Sequence, residues 1–213
     1  MADKKCEVEV TLVELSLLKT LRSAEQSLHL LGTELVWPRV GTACKTFSAS
    51  LKLATGCWLM ENRPWTQRIL FKETVQGRFG FEVTLTEGLS EANAAAFMRY
   101  MASQVTKLTT TAAKKMLTPP LLGSLADIPF SYLVKELLKE QAPAMLASGV
   151  RDLDAGQLPA VGRSARWEVP LLAPDGIHRT VHTRVGKTTQ RRRETLVPPG
   201  GNAGRCIVEV LVL

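Results

Sequence analysis

Two stretches of period-two alternation bracket this chain. Residues 6–15 read CEVEVTLVEL and residues 205–213 read RCIVEVLVL. Cys6, Val8, Val10 and Leu12 share one parity in the first, and Cys206, Val208, Val210 and Val212 share one in the second. That pattern belongs to strands with one buried face. A terminal strand is ordered only if it pairs, so both ends of the polypeptide are expected to lie as neighbours in a sheet. Such pairing would bring the sulfurs of Cys6 and Cys206 close together.

Further strand patterns follow between these ends. In TFSASLKLA (46–54), Phe47, Ala49, Leu51 and Leu53 alternate with polar residues. QRILFKETVQGRFGFEVTLTE (67–87) places Gln76-Gly77 between two β-rich runs, which predicts an antiparallel hairpin with a tight turn. RWEVPLLAP (166–174) and HRTVHTRV (178–185) are strands of the same kind. Residues 16–32 admit two readings. Leu17, Leu18, Leu21, Leu28 and Leu31 have roughly helical spacing, but two strands turning near SAEQ fit as well.

The period changes in the middle of the chain. Ser90 is a good N-cap, and Met98, Met101, Val105 and Leu108 step by three and four, which lays a stripe along a helix. PFSYLVKELLKEQ (129–141) predicts a second amphipathic helix opened by Pro129. Residues 143–165 read as a poorly ordered connection. Strands, then two helices, then strands again argue against a doubly wound parallel sheet. The expected class is α+β, mainly β: one domain over 1–213, an antiparallel β-sandwich or jelly-roll-like sheet with an inserted helical pair over about 90–142.

Several chemistries are excluded by spacing. Cys6, Cys44, Cys57 and Cys206 form no CxxC pair. His178 and His182 would face the same way on a strand but stand about 13 Å apart, too far to share one metal ion. GKTT at 186–189 lacks the glycine of a phosphate loop, because Val181 stands where it is needed, and RRRETLVPP cannot open the helix that follows such a loop. No G-x-S-x-G, HExxH or HxE…PCxxC pattern is present. No cofactor and no metal are expected. The start, MADKKCEVEV, lacks the continuous apolar stretch of a secretory signal, and no run approaches a membrane helix of about 18 residues. The expected location is the cytoplasm.

Two surfaces remain as candidates. The formal charge is +7, and Arg184, Lys187, Arg191, Arg192 and Arg193 supply five of those charges within one acid-free stretch. Guanidinium forks there suit an acidic protein face, a phosphate-rich surface or RNA. Three of the four tryptophans fall in 37–65. Trp37, Trp58, Met60 and Trp65 are the candidate aromatic anchors for a protein partner. The expected function is non-enzymatic: a protein–protein interaction module or structural subunit of a larger assembly. RNA or anionic-surface binding through a basic loop at 184–193 is the alternative, and a hydrolase with residues scattered in sequence is a third.

Overall fold

The computed structural model describes residues 5–21, 26–36, 45–64, 68–87, 90–92, 95, 99, 144–185 and 188–213. The strands are β1 (Lys5–Leu17), β2 (Ser27–Val36), β3 (Lys45–Leu53), β4 (Gly56–Leu59), β5 (Ile69–Gln76), β6 (Arg78–Glu87), β7 (Ala144–Asp154), β8 (Ser164–Ala173), β9 (Ile177–Val185), β10 (Thr188–Val197) and β11 (Gly201–Val212). Nine of them form one antiparallel sheet in the order β3-β2-β6-β7-β8-β11-β1-β4, with β5 also paired to β1. β9 and β10 form a separate two-stranded ribbon. Among the described residues, no helix is long and apolar enough to cross a membrane.

The large sheet curls on itself. β3 and β5, from opposite ends of the strand order, come into contact, and the turn at Ala54–Thr55 links β3 directly to β4. The result is a nearly closed barrel-like sheet rather than two packed sheets. The sandwich or jelly-roll expectation is corrected here. Alternation specifies a buried face but not whether that face closes on a second sheet or on its own continuation.

The two terminal strands make the seam. Val8, Val10 and Leu12 of β1 pair with Val212, Val210 and Val208 of β11. The register then slips between Leu12 and Glu14, and Leu15 and Leu17 pair with Cys206 and Gly204. This bulge matters because the apolar residues of β1 change parity there. One extra residue, Val13, keeps Leu15 and Leu17 on the inner face. Val13 is itself buried, and its carbonyl accepts the Met60 N–H at 2.8 Å. The other edge of β1 pairs with β5 over its first half and β4 over its second. Outside, Arg205 joins Glu14 and Glu168 at 3.1 and 3.5 Å, and Lys72 meets Glu7 at 3.6 Å. These exposed pairs mark the wet face and add little stability each.

The expected hairpin at 67–87 is not a hairpin. β5 pairs with β1, whereas β6 pairs with β2 and β7. The chain turns at Gly77 and crosses the barrel, so the two strands face each other through side chains. The Phe71 and Phe81 rings meet edge to face with centroids 6.1 Å apart. A turn signal between two apolar strands does not distinguish a ladder from such an arch. The expected connection at 143–165 is likewise corrected, since β7 takes up Ala144–Asp154 of it. Its inward positions include Ala147, Gly149, Arg151 and Leu153, opposite Leu85, Val83, Phe81 and Phe79. Glycine and arginine on the core side hide the alternation. Arg151 is accommodated by lying over the Trp167 ring at 5.2 Å.

Of the two readings for 16–32, the strand pair is the one adopted, as the end of β1 and the start of β2. The helical pair expected over 90–142 is not seen among the described residues: Glu91, Ala92, Ala95 and Arg99 are helical there, and Met98, Met101, Val105, Leu108 and 129–141 lie outside the described residues. Cys6 and Cys206 are both buried but pair with Val75 and Leu15 respectively. Nine residues of β1 separate those positions, about 30 Å, so the sulfurs are far apart. Burial, helped by the charge of Glu14, pushes the Cys206 thiol up to about 12.

Gly204 is a steric requirement of the seam. Its φ is +149°, and a Cβ there would stand 1.9 Å from the Ser16 carbonyl oxygen. Gly204→Ala is expected to cost about 3 kcal/mol, roughly 6–12 °C in Tm. Thermal unfolding followed by circular dichroism checks this, and an unchanged Tm would mean that β1 and β11 do not approach so closely.

Candidate functional site

The basic stretch is a strand, not a loop. Residues 188–197 form β10, laddered against β9 from Thr188↔Val185 to Val197↔Ile177. β-Branched Thr180, Val181, Thr183, Thr188, Thr189 and Thr195 favour this extended form. Arg191, Arg192 and Arg193 break any apolar alternation, and the ribbon has none to keep, because it covers no core beyond its base. Lys187 lies outside the described residues. Arg184, Arg191, Arg192 and Arg193 are all exposed.

The ribbon grows out of the barrel. β8 and β11 pair as far as Ala173↔Gly201, and β9 and β10 resume at Ile177↔Val197. Ile177 and Val197 belong to the core cluster, so the base of the ribbon is anchored in the barrel. Gly176 makes the change of direction, with φ +75° and the Val197 carbonyl oxygen 2.8 Å from where a Cβ would stand. Its N–H and that of Gly200 both bond the Ala173 carbonyl, at 3.2 and 2.7 Å.

Cross-strand partners share a face in such a ladder. One face therefore carries Arg184 with Thr189, His182 with Arg191, Thr180 with Arg193 and His178 with Thr195. The other carries Thr183 with Gln190, Val181 with Arg192 and Arg179 with Glu194. Arg179 and Glu194 form an ion pair at 2.7 Å. His178 is tied down, with Nδ1 3.0 Å from Thr195 Oγ1 and Nε2 3.2 Å from the Asp175 carbonyl oxygen. The first face thus presents three arginines and no carboxylate.

The aromatic candidates are placed differently. Met60 is fully buried in the core, which removes it from any exposed surface. Trp58 is half-buried against the core; its indole N–H donates to the Ala54 carbonyl at 2.9 Å, and the Arg63 guanidinium lies 5.7 Å over its ring. Trp37 and Trp65 lie outside the described residues. A hollow of about 370 Å³ opens above Gly80, lined by Val36, Arg78, Glu82, Val150 and Asp152. Glu82 stands opposite Glu34 across β6 and β2, and burial together with that neighbouring charge pushes its carboxyl up.

A buried polar cluster escaped the sequence reading. Ser27, His29 and Glu87 lie inside the sheet, and the Ser27 hydroxyl donates to Glu87 Oε1. The Leu21 N–H donates to Glu87 Oε2 at 2.7 Å, and His29 Nε2 stands 3.6 Å from the same oxygen. His29 Nδ1 lies 2.9 Å from the Ser27 carbonyl oxygen. The residue types match a serine hydrolase, but the arrangement does not. The hydroxyl is bonded to the carboxylate rather than to the imidazole, so the Ser–His contact of the triad is not made. A polar parity mate, His29, at the start of an otherwise leucine-rich strand is the signal that marks such a cluster. Among the described residues, no group of three or more His, Cys, Asp or Glu is placed to hold a metal ion.

Burial pushes the Glu87 carboxyl up, but the His29 contact and the Ser27 and Leu21 hydrogen bonds outweigh it and hold the group below its ordinary value. A depressed carboxyl stabilises the fold above its unfolded pKa and loses that contribution as pH falls through the folded one. Glu87→Gln should lower stability at neutral pH by about 2 kcal/mol. It should also flatten the loss of stability below about pH 4.5. Denaturant midpoints from pH 7 to pH 3 test both, and parallel pH profiles for the two proteins would exclude Glu87 from the acid limb.

No family model, no curated protein and no solved structure matches this chain.

Proposed function

We propose that this protein is a non-enzymatic binding module that holds an anionic polymer through the β9–β10 ribbon. The observation that carries the reading is the one-sided charge of a projecting arm. Arg184, Arg191 and Arg193 share a face without a carboxylate, while the only acid in the ribbon, Glu194, is spent on Arg179 on the opposite face. Three guanidinium groups this close repel one another, and an anionic ligand relieves that repulsion. The aromatic route to a protein partner has less behind it, because Met60 is in the core and Trp58 is already bonded.

Retention on immobilised heparin, read as a function of salt, tests the proposal. Binding should weaken steeply between 50 and 200 mM salt, by about 10²-fold or more for several charge contacts. The triple variant Arg191→Glu, Arg192→Glu, Arg193→Glu should lose retention while its Tm changes little, since these side chains touch no core. Retention that ignores salt, or that survives the triple reversal in a folded protein, would remove the ribbon from the function.

A further inference from the structure

The shape of the ribbon narrows the class of polymer. We infer that its ligand is double-stranded DNA and that the face carrying Arg184, Arg191 and Arg193 enters the major groove. This rests on the anionic-polymer reading and adds to it the identity of the polymer and the side of the arm that meets it.

Dimensions come first. Beyond its anchor at Ile177↔Val197, the ladder runs eight further residue pairs to Thr188↔Val185. At about 3.3 Å per residue the arm is about 25 Å long, and two strands are about 5 Å apart. A two-stranded ribbon of this kind fits the major groove of B-form DNA, about 12 Å wide. Thr183, Arg184 and every residue from Thr188 to Thr195 are exposed, so neither face of the outer arm is covered by the barrel.

Charge placement comes second. Arg193, Arg191 and Arg184 lie in a line on one face, with steps of about 7 Å along and across the strands. They are interleaved with Thr180, His182 and Thr189, all hydrogen-bonding side chains. Arginine reads guanine edges and phosphates, and threonine reads either. The opposite face has Gln190 and Arg192, with Arg179 already neutralised by Glu194.

The competing polymers fit less well. Residues 177–197 contain no Phe, Tyr or Trp, so the arm has no platform on which unpaired bases could stack. Duplex RNA has a deep, narrow major groove that side chains cannot read. An anionic membrane would favour an apolar side to bury, but the face opposite the three arginines bears Arg192, Gln190 and the Arg179–Glu194 pair.

Fluorescence anisotropy of the full chain with labelled 20-base-pair DNA, duplex RNA of equal length, single-stranded DNA and competing heparin tests this, with phosphatidylserine vesicles measured by co-sedimentation. Duplex DNA is expected to bind about tenfold or more tighter than duplex RNA and single strands. The pair Arg191→Gln, Arg193→Gln should weaken duplex binding by about 30-fold or more, and Arg192→Gln by less than about threefold. Equal affinity for all nucleic acids and heparin, or equal losses from the two faces, would overturn groove docking and leave the anionic-polymer reading intact, whereas tighter binding to vesicles than to any polymer would overturn both. No binding to any of these probes at 50 mM salt, by a chain that keeps its Tm, would overturn both.

Discussion

The double use of β1 is the constraint on which the rest of this molecule depends. One edge of β1 is laddered to β11 along nearly its whole length, and the other is shared between β5 and β4. A strand paired on both sides and buried on one face has no freedom of register, since a one-residue slip would turn Val8, Val10 and Leu12 outward. The bulge at Val13 shows how strict this is. Where the sequence changes parity, the backbone changes with it, and the apolar side chains stay inside. Because β11 is held there, its partner β8 is held as well, and the hairpin they form points the ribbon away from the barrel.

That origin explains how the ribbon stands at all. A two-stranded hairpin alone is marginal in water. Here it borrows order from its base, where Ile177 and Val197 are in the core and Gly176 and Gly200 are both bonded to Ala173. The Arg179–Glu194 pair and the Thr195 contact of His178 reinforce the first turn of the ladder above the base. Toward the tip the balance reverses, because Arg184, Arg191 and Arg193 repel one another on a single face. An arrangement that only served stability would distribute those charges or pair them, as the outer wall of the barrel does with Arg205 between Glu14 and Glu168. Binding energy from an anionic ligand would offset this repulsion.

The strands at the two ends were legible because each has one face in the core and one in water, so that valine and glutamate alternate. β7 was not, because its inward side carries Gly149 and Arg151, and Arg151 is tolerated only through its position over Trp167, a residue sixteen places away on another strand. The arch between β5 and β6 was visible as two strands and a turn, but not as an arch, because pairing partners are set by distant strands rather than by Gln76-Gly77. The basic segment was visible as charge. Its face was not, since assigning Arg191 and Arg193 to the side of Arg184 needs the register with β9. Trp58 and Met60 were read together as a surface, yet the N–H of Met60 bonds the bulged Val13 and carries its side chain into the core.

The polar groups divide into two kinds by what surrounds them. Glu87, His29 and Ser27 are withdrawn from water and face one another, with Ser27 hydrogen-bonded to Glu87 and His29 Nε2 3.6 Å from it, so their chemistry is directed inward. Arg184, Arg191, Arg192 and Arg193 of the ribbon are exposed and stand in solvent, where their charge is available to a ligand. A carboxylate with three neighbours supports the barrel, while the guanidinium row is exposed to solvent. The same distinction separates Glu82, whose charge is disfavoured by burial and by Glu34, from Arg191, whose charge is favoured by water and by any anion that approaches. Reading function from this fold therefore comes down to asking which charges are already paired, and the arm brings four exposed arginines, Arg184, Arg191, Arg192 and Arg193, onto one short ribbon.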